Sequence, residues 1–490
     1  MTLSAAWEPP DVGGFGHLVI GGALGLVTGL VYARLARGVH RHRQAFACAF
    51  WLLAYVASHA LFPSAGAVGG ERFGPVRRIV EYATGETGPR VLAHLASAYG
   101  LFPRATVATT LALALTILVL PRRASWATRF TSLAVVLPAL GVATFYGFKL
   151  GPPASTCAAP LVASGLRRVV STESLRAATG LATGRPYDVQ VVGEDLVVSV
   201  KADARSYGAL VLVDRETGIV EDVLELAEAF APLPAPPLFP ERMAVRHDEV
   251  LALVLGSADA VLDVVVEGGR FGAPTVIPLG GEPNAIRADP TSDRVWVLLS
   301  AATEKGILEL RGPSPAVARR STDPALDVPF QYLDVSADGR TLYSTSTAAP
   351  GLRVVDTEML VASAASYGSA LIGVRLDEGE HAAFVADPLR RRLVRIDTAT
   401  LAPVAYVTLE ASGLADVDLD PGAGVVAVGS YTGTLALYSL ADLAPVASAR
   451  LGWLLRNVVA DRVRHEVLAA SGCGVFVWDL AAVPGVVPSP

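Results

Sequence analysis

Three aspartates at alternate positions, followed by a run of glycines, form the most ligand-like stretch of the sequence. The aspartates are Asp416, Asp418 and Asp420, and glycines follow at positions 422, 424 and 429. Alternating carboxylates could supply oxygens to a calcium ion, and a glycine-rich turn could hold a phosphate group. Whether this is a metal site, a nucleotide site or neither depends on the elements that carry these residues.

The second two-thirds of the chain repeats, and the repeat decides how these residues are placed. From about residue 155 onward, short β-rich stretches alternate with Gly, Pro and Asp turns. An apolar anchor residue is followed three positions later by Asp at Val245/Asp248, Ile286/Asp289, Val335/Asp338, Val374/Asp377, Val417/Asp420 and Val458/Asp461. These anchors are 41, 49, 39, 43 and 41 residues apart. A seventh anchor, Val189, keeps the strand–turn–strand pattern without the Asp.

A second turn signal falls 21 to 25 residues after several anchors. It is found at Asp214, Asp356, Asp397, Ser439 and Asp479. Two turns within one period predict four strands per repeat, which is the composition of a propeller blade. An array of immunoglobulin-like sandwiches would need about 100 residues per domain, more than twice the period. The sequence therefore predicts a seven-bladed all-β propeller.

The predicted blades remove the calcium and nucleotide hypotheses for the opening stretch. Asp416, Asp418 and Asp420 lie on a predicted strand, where same-face residues are about 7 Å apart for each two-residue step. Asp420 is the turn Asp of its repeat and suits an Asx-turn. The glycines open a strand and no helix follows them, so the anion-binding helix terminus is missing. Asp416, one position before its anchor, remains a candidate.

Polar residues shortly before each anchor form the candidate binding site. They should lie on the innermost strands, near the mouth of the central channel. The set is Asp188, Arg242, Asn284, Asp334, Asp416, Arg456 and Asn457. A mixed polar ring of this kind could bind a small polar ligand or a divalent metal. The simpler alternative is that these residues line a water-filled channel.

The first third of the chain is apolar enough to predict membrane spans. The whole sequence of 490 residues is 52% hydrophobic and only 18% charged. Four stretches approach the length needed to cross about 30 Å of hydrocarbon. They run approximately over Phe15–Leu35, Ala45–Phe62, Leu101–Leu120 and Phe130–Leu150. The net charge of -6 argues against a nucleic-acid partner, which would need a basic surface.

The short basic loops predict the orientation of these spans. Four arginines lie between the first and second spans, and three lie between the third and fourth. Both loops are expected in the cytoplasm under the positive-inside rule. The N-terminus and the propeller would then lie on the outer side of a bacterial inner membrane. We divide the chain into a four-helix membrane region at 1–150, a linker at 151–184 and the propeller at 185–490.

The repeats resemble those of YVTN-type and related WD40-like seven-bladed propellers. The resemblance covers about residues 185–485 and is clearest in "VSADGRTLYSTSTAAPGLRVVDTEMLV". The literal tetrapeptide is replaced by "LYST", "FVAD", "VAVG" and "VLAA", and the WD40 marks are absent apart from Trp478-Asp479. The resemblance implies the fold. Such propellers serve as scaffolds, sensors, lyases, lactonases and quinoprotein enzymes, so fold alone does not select a function.

Two of the three cysteines are candidates for a disulfide that closes the ring. Cys157 precedes the predicted propeller, and Cys473 lies in its last blade. Propellers often close by pairing a strand from the start of the domain with the last blade. A Cys157–Cys473 bond would fix that closure in an oxidising compartment.

The leading functional hypothesis is a non-enzymatic binding scaffold or sensor at the membrane surface, without a cofactor. Its partner would be a protein or a small polar ligand. The alternative is a propeller enzyme at the channel mouth, either a metal-dependent lactonase or lyase or a quinoprotein-like oxidoreductase. No G-x-S-x-G, P-loop or H-E-x-x-H motif occurs. A third hypothesis is a haem-bearing or transport unit, with His17, His59 and His94 near the outer membrane surface.

Overall fold

The structure is a computed structural model that describes Cys157 and residues 163–488. It leaves out 182–183, 202–206, 231, 233, 235–237, 257, 301–304, 327–331, 347–350, 365–370, 378, 380, 389, 410–413, 432 and 453–454 within that range. The four predicted spans and the three histidines of the haem hypothesis lie outside the described residues. Within the described residues, no helix has both the length and the apolar character needed to cross a membrane.

The described chain forms seven antiparallel blades, as the repeat predicts. Strand β1 (Leu166–Ser171) and helix α1 (Thr172–Thr179) come first, and β1 belongs to the last blade. Blade 1 contains β2 (Pro186–Val192), β3 (Asp195–Val200), β4 (Ala209–Asp214) and β5 (Val220–Glu225), followed by the short helix α2 (Leu226–Ala229). Blade 2 contains β6 (Leu238–Arg246), β7 (Glu249–Gly256), β8 (Ala260–Glu267), β9 (Arg270–Phe271) and β10 (Thr275–Pro278). Blade 3 contains β11 (Pro283–Ala288), β12 (Val295–Ser300), β13 (Lys305–Arg311) and β14 (Ala316–Arg320).

The remaining blades have the same plan. A 3-10 turn at Pro324–Leu326 leads to blade 4, with β15 (Tyr332–Val335), β16 (Thr341–Thr345), β17 (Arg353–Asp356) and β18 (Val361–Ala364). Blade 5 contains β19 (Ile372–Asp377), β20 (Ala382–Asp387), β21 (Arg392–Asp397) and β22 (Pro403–Thr408). Blade 6 contains β23 (Leu414–Asp420), β24 (Val425–Ser430), β25 (Thr434–Ser439) and β26 (Pro445–Arg450). Blade 7 contains β27 (Asn457–Asp461), β28 (Glu466–Ser471) and β29 (Gly474–Asp479), with a 3-10 turn at Leu480–Ala482.

The apolar pattern of the strands follows from their place in the blade. Inner strands have neighbouring blades on both faces and are nearly continuous apolar runs, such as β20, in which every residue is buried. The outermost strand has solvent beside it and alternates, as in β22, where Val404 and Tyr406 are exposed. All seven anchors of the repeat lie on the first, innermost strand of their blades.

The turn after the third strand has one construction in four blades. In blade 5, the Asp397 carboxylate accepts hydrogen bonds from the backbone N and Oγ1 of Thr400, both at 2.7 Å. The backbone N of Leu401 donates to the Asp397 carbonyl at 2.8 Å, and Leu401 has a positive φ of 57°. Blades 1, 4 and 6 have the same backbone hydrogen bond, and its donor residue again has a positive φ. The donors are the backbone N atoms of Gly218, Leu360 and Leu443, and the acceptors are the carbonyls of Asp214, Asp356 and Ser439.

Strand β1 closes the ring by pairing with β29. It lies in the segment 151–184 that the sequence analysis assigned to a linker, so the propeller begins earlier than expected. A disulfide bond joins Cys157 to Cys473, the pair singled out from the sequence, across 316 positions of the chain. Gly452 packs against this bond at a φ of 98°, and a Cβ there would lie 2.1 Å from Cys473 Sγ. The close approach requires glycine at this position.

Arginines that cross from one blade to the next stabilise the end of the propeller opposite the mouth. The fully buried Arg215 of blade 1 contacts Asp461 and Glu466 of blade 7, so it adds a charged contact to the ring closure. Arg246 of blade 2 donates to the carbonyls of Asp293 and Gly312 of blade 3 at 2.9 and 2.8 Å. Such contacts satisfy turn carbonyls that would otherwise lack a partner.

The three alternating aspartates at 416, 418 and 420 lie in three different environments. Asp416 contacts Asn457, and Asp418 accepts a hydrogen bond from Arg375 Nε at 3.0 Å. Asp420 Oδ1 accepts from the backbone N of Ala423 at 3.0 Å, which is the predicted Asx-turn. The three carboxylates are thus held by different partners, in agreement with the rejection of a calcium loop.

Candidate functional site

The seven first strands form a ring, and the end at which they begin defines the channel mouth. Each first strand lies beside that of the next blade, and β27 lies beside β2. First and second strands are antiparallel, so residues that follow the second strands also lie at the mouth. In blade 6, Leu414 is opposite Ser430, and this places Tyr431 at the mouth.

Four of the predicted residues meet there and are called the mouth cluster: Asp188, Arg242, Asp416 and Asn457. Arg242 Nη1 lies 3.7 Å from Asp416 Oδ2, and Asn457 Nδ2 donates to the same oxygen at 3.4 Å. Asp188 Oδ2 accepts from the backbone N of Met243 at 2.6 Å. The cluster therefore links blades 1, 2, 6 and 7.

Two contacts at the mouth cross the centre of the ring. Arg242 and Asp416 belong to blades 2 and 6, which are not neighbours. The hydroxyl of Tyr332 in blade 4 donates to the carbonyl of Ala415 in blade 6 at 2.9 Å. The Arg242 guanidinium stacks on the Tyr332 ring, 4.5 Å from its centroid. Side chains therefore cross the channel here and form a polar and aromatic floor, and we call the mouth above this floor the recess.

A second charged group, the inner cluster, consists of Arg287, Asp334, Arg375 and Asp418. Arg287 Nε lies 3.6 Å from Asp334 Oδ1, and Arg375 Nε donates to Asp418 Oδ1 at 3.0 Å. The second oxygen of each carboxylate accepts from the backbone of the following blade. Asp334 Oδ2 accepts from Leu376 N at 2.9 Å, and Asp418 Oδ2 accepts from Ala460 N at 3.1 Å. These carboxylates join blade 4 to blade 5 and blade 6 to blade 7.

Burial and neighbouring charges set the protonation of the mouth cluster. Burial raises the pKa of Asp188 to about 7, against the opposing effects of the Met243 N–H and the Arg242 charge. Burial, the largest single effect, would lower the pKa of Arg242. The combined effects of Asp416 and of Tyr332, Tyr187 and Asp188 outweigh it, so the pKa of Arg242 is raised and its charge is held. Burial raises the pKa of Tyr332 well above its ordinary value, so its hydroxyl stays protonated and donates.

Cations stacked on aromatic rings surround the recess. The Arg456 guanidinium lies 4.6 Å from the ring centroid of Tyr187 and 5.9 Å from that of Tyr431. Lys201 Nζ lies 4.4 Å from the Phe239 ring. Each stacking contact is worth about 0.5–2 kcal/mol and restricts a long side chain that would otherwise be mobile.

The other predicted residues lie outside the mouth cluster. Arg456 stacks on the two tyrosines beside it, and Asp334 belongs to the inner cluster. Asn284 is buried on β11. The structure thus brings four of the seven predicted residues into one cluster.

Sequence reasoning missed Arg287 and Arg375 of the inner cluster, and the tyrosines of the recess. Arg287 and Arg375 directly follow their anchors, as Asp418 does. Positions on either side of an anchor share one face of a strand. A search at both positions would therefore have found them. The tyrosines carry no such signal, because their role depends on contacts between distant blades.

No three carboxylates of the channel bring their oxygens within 4.8 Å of one another in the described part of the chain. One group of three acidic side chains there has oxygens within 4.8 Å of one another, namely Asp195, Asp214 and Glu221. It lies in blade 1 at the end opposite the mouth. In the two channel clusters, carboxylate oxygens already accept from peptide N–H groups or from arginine.

Comparison of the sequence with models of known protein families and with curated proteins finds no match. The structure confirms the seven-bladed propeller that the sequence predicts. Neither comparison assigns the chain to a family.

Proposed function

We propose that the N-terminal region anchors the chain in a bacterial inner membrane and that the propeller acts outside the cytoplasm as a scaffold or sensor. It would bind a protein or a small polar ligand at the channel mouth. The observation that carries this proposal is the mouth cluster, in which charged and polar groups from four blades are held together in one recess.

The state of the carboxylates favours recognition over catalysis. A general base or a metal ligand directs a lone pair at the reacting group, whereas each carboxylate oxygen of Asp188 and Asp416 has one lone pair directed at a donor of the chain. Asp188 Oδ1 accepts from Val189 N at 2.7 Å and its Oδ2 from Met243 N, while Asp416 faces Arg242 and Asn457. Polar groups held in this way suit the orientation of a bound molecule.

The enzyme alternative remains a metal-dependent lactonase or lyase, or a quinoprotein-like oxidoreductase, at the same mouth. Elemental analysis of the purified full-length chain separates the two functions. The scaffold proposal expects no stoichiometric metal. One divalent ion per chain that is lost on substitution of Asp416 would favour the metal-dependent enzyme.

The placement outside the cytoplasm is supported by the basic loops between the predicted spans and by the disulfide. Disulfides persist in oxidising compartments and are rare in the cytosol of mesophiles. Protease added to intact spheroplasts should cleave the propeller while a cytoplasmic marker protein survives. Cleavage only after lysis would contradict this placement.

Site-directed photo-crosslinking tests binding at the mouth. A photoreactive phenylalanine analogue would replace Tyr431 at the mouth or, as a control, Met359 at the opposite end, whose side chain is 73% exposed. In cells that express the full-length chain, the analogue at 431 should give an added mass, whether of a protein or of a small molecule. Adducts at 359 alone would contradict recognition at the mouth.

A further inference from the structure

We infer that the recess of the channel mouth binds a small molecule through an oxyanion, a carboxylate or a phosphate, held by the guanidinium of Arg242. This rests on the proposed function, since it names the ligand chemistry of the same site. The observation that points to it is a set of Arg242 hydrogen-bond donors for which no described residue supplies an acceptor.

Arg242 makes an ion pair but no hydrogen bond to any residue that the structure describes. Its Nη1 lies 3.7 Å from Asp416 Oδ2, beyond hydrogen-bonding distance. A guanidinium carries five N–H donors, and donors that are largely removed from solvent normally have acceptors. The Arg242 side chain is only 19% exposed. A bound oxyanion would supply the acceptors that the described residues do not.

The guanidinium is held in place before any ligand arrives. One face stacks on the Tyr332 ring, which the bond from its hydroxyl to the Ala415 carbonyl fixes. Asp416 is fixed in turn, because its Oδ1 accepts from the backbone N of Val417 at 3.0 Å. Stacking occupies the face of a guanidinium and leaves its planar N–H edges available. Those edges match the two oxygens of a carboxylate or phosphate.

The surroundings favour an oxyanion over a cation. Arg456 and Lys201 add positive charge from blades 7 and 1 at the same end of the propeller. The carboxylate of Asp188, which could attract a cation, already accepts from two peptide N–H groups. A divalent ion bound there would also have to approach the positive charge of Arg242.

Asp188 makes the inferred affinity depend on pH. The charged groups that act on it are Arg242 on β6 and Asp416 on β23, and its pKa is raised to about 7. Above that pH its negative charge competes with the ligand for Arg242. Below it the neutral carboxyl does not compete. The affinity for a carboxylate ligand, whose own charge is constant near neutral pH, should therefore fall as pH rises through about 7, and Asp188→Asn should flatten the dependence.

The test uses the purified full-length chain and three four-carbon probes that differ in charge: succinate, neutral succinamide and cationic 1,4-diaminobutane. Inorganic phosphate is a fourth probe, and its affinity relative to succinate distinguishes the two oxyanions. Calorimetric titration at constant ionic strength gives the affinities. Labelling of arginine by phenylglyoxal, mapped by mass spectrometry, gives the location.

We expect an oxyanion probe to bind saturably and to protect Arg242 from labelling. Arg242→Gln should weaken that binding about tenfold or more, because charge-assisted hydrogen bonds are lost. Arg242→Lys keeps the charge without the planar fork, and it should fall between the wild type and Arg242→Gln. Arg340→Gln is the matched control, because Arg340 is exposed in a turn of blade 4 at the opposite end.

Three results would overturn the inference. The first is that succinamide or the diamine binds the mouth as tightly as succinate does. The second is that succinate binds the wild type and a folded Arg242→Gln variant equally. The third is that neither succinate nor phosphate shows saturable binding beyond the ionic-strength control. Mouth crosslinks at residue 431 together with any of these would leave the proposed function standing, whereas crosslinks confined to residue 359 would remove that function itself.

Discussion

Burial of the Asp188 side chain disfavours its negative charge. The stability of the folded protein should therefore depend on pH in a way that can be measured. Burial raises the pKa of Asp188 from 3.8 to about 7. The folded state therefore holds the proton more tightly than the unfolded state between those values. Stability contributed by this group is present at low pH and is lost as pH rises towards and through 7.

Asp188→Asn should remove that part of the pH dependence. Between pH 5 and pH 8, we expect the wild type to lose on the order of 1–3 kcal/mol more unfolding free energy than the variant. Urea denaturation at the two pH values measures it. Asp214→Asn is the control. Hydrogen bonds from Thr217 lower the pKa of Asp214, so its contribution to the pH dependence of stability is confined to pH values below about 4. Parallel profiles of wild type and Asp188→Asn would show that Asp188 is charged throughout.

At the scale of residues, the sequence predicted a polar mouth but not its pairing. The offset from the repeat anchors found Asp188, Arg242, Asp416 and Asn457. Their pairing depends on how far a long side chain extends over the centre of the ring. Arg242 reaches Asp416 from a blade that is not its neighbour. The spacing of residues along the chain gives no information about the distance between Arg242 and Asp416 in the folded ring.

At the scale of elements, the Asp turns carry the repeat, and their role is tested in blade 5. Asp397→Ala removes the acceptor of two hydrogen bonds from Thr400. The variant should unfold at a lower urea concentration than the wild type, because these bonds hold the turn. Asp397→Asn is the matched control, because an amide oxygen can still accept in an Asx-turn. Equal stability of the Ala variant and wild type in urea denaturation would mean that the backbone alone fixes the turn.

The same elements show which part of the fold was predictable from sequence. Blades 4, 5 and 7 give the clearest repeat pattern, because both of their turn signals contain Asp. Blade 2 lacks the second signal, and its third turn uses Gly268 and Gly269, followed by the two-residue strand β9. The sequence predicts a linker where strand β1 lies, because a closing strand carries no repeat of its own and pairs with residues about 300 positions away.

At the scale of the whole molecule, stability depends on closure of the ring between blades 1 and 7. The disulfide spans 316 positions, so it restricts a very long loop in the unfolded chain. On chain-entropy grounds it should contribute roughly 4–5 kcal/mol or more. The contribution is available only if the propeller folds in an oxidising compartment.

A double Cys157→Ala, Cys473→Ala variant should therefore unfold at markedly lower urea concentration than wild type. Cys48→Ala is the control, because it removes the third cysteine and leaves the bond intact. Peptide mapping without reductant should recover Cys157 and Cys473 in one linked fragment. Two free thiols in protein purified without reductant would contradict the closure.

The central claim is that the channel mouth is the recognition site, and an experimental density map of the full-length chain from its native membrane tests it most directly. The account predicts density for a bound molecule in the recess, with an oxyanion against Arg242 and its body beside Tyr431 and Arg456. A divalent ion coordinated by Asp188 and Asp416, or a ligand confined to the opposite end of the propeller, would contradict it.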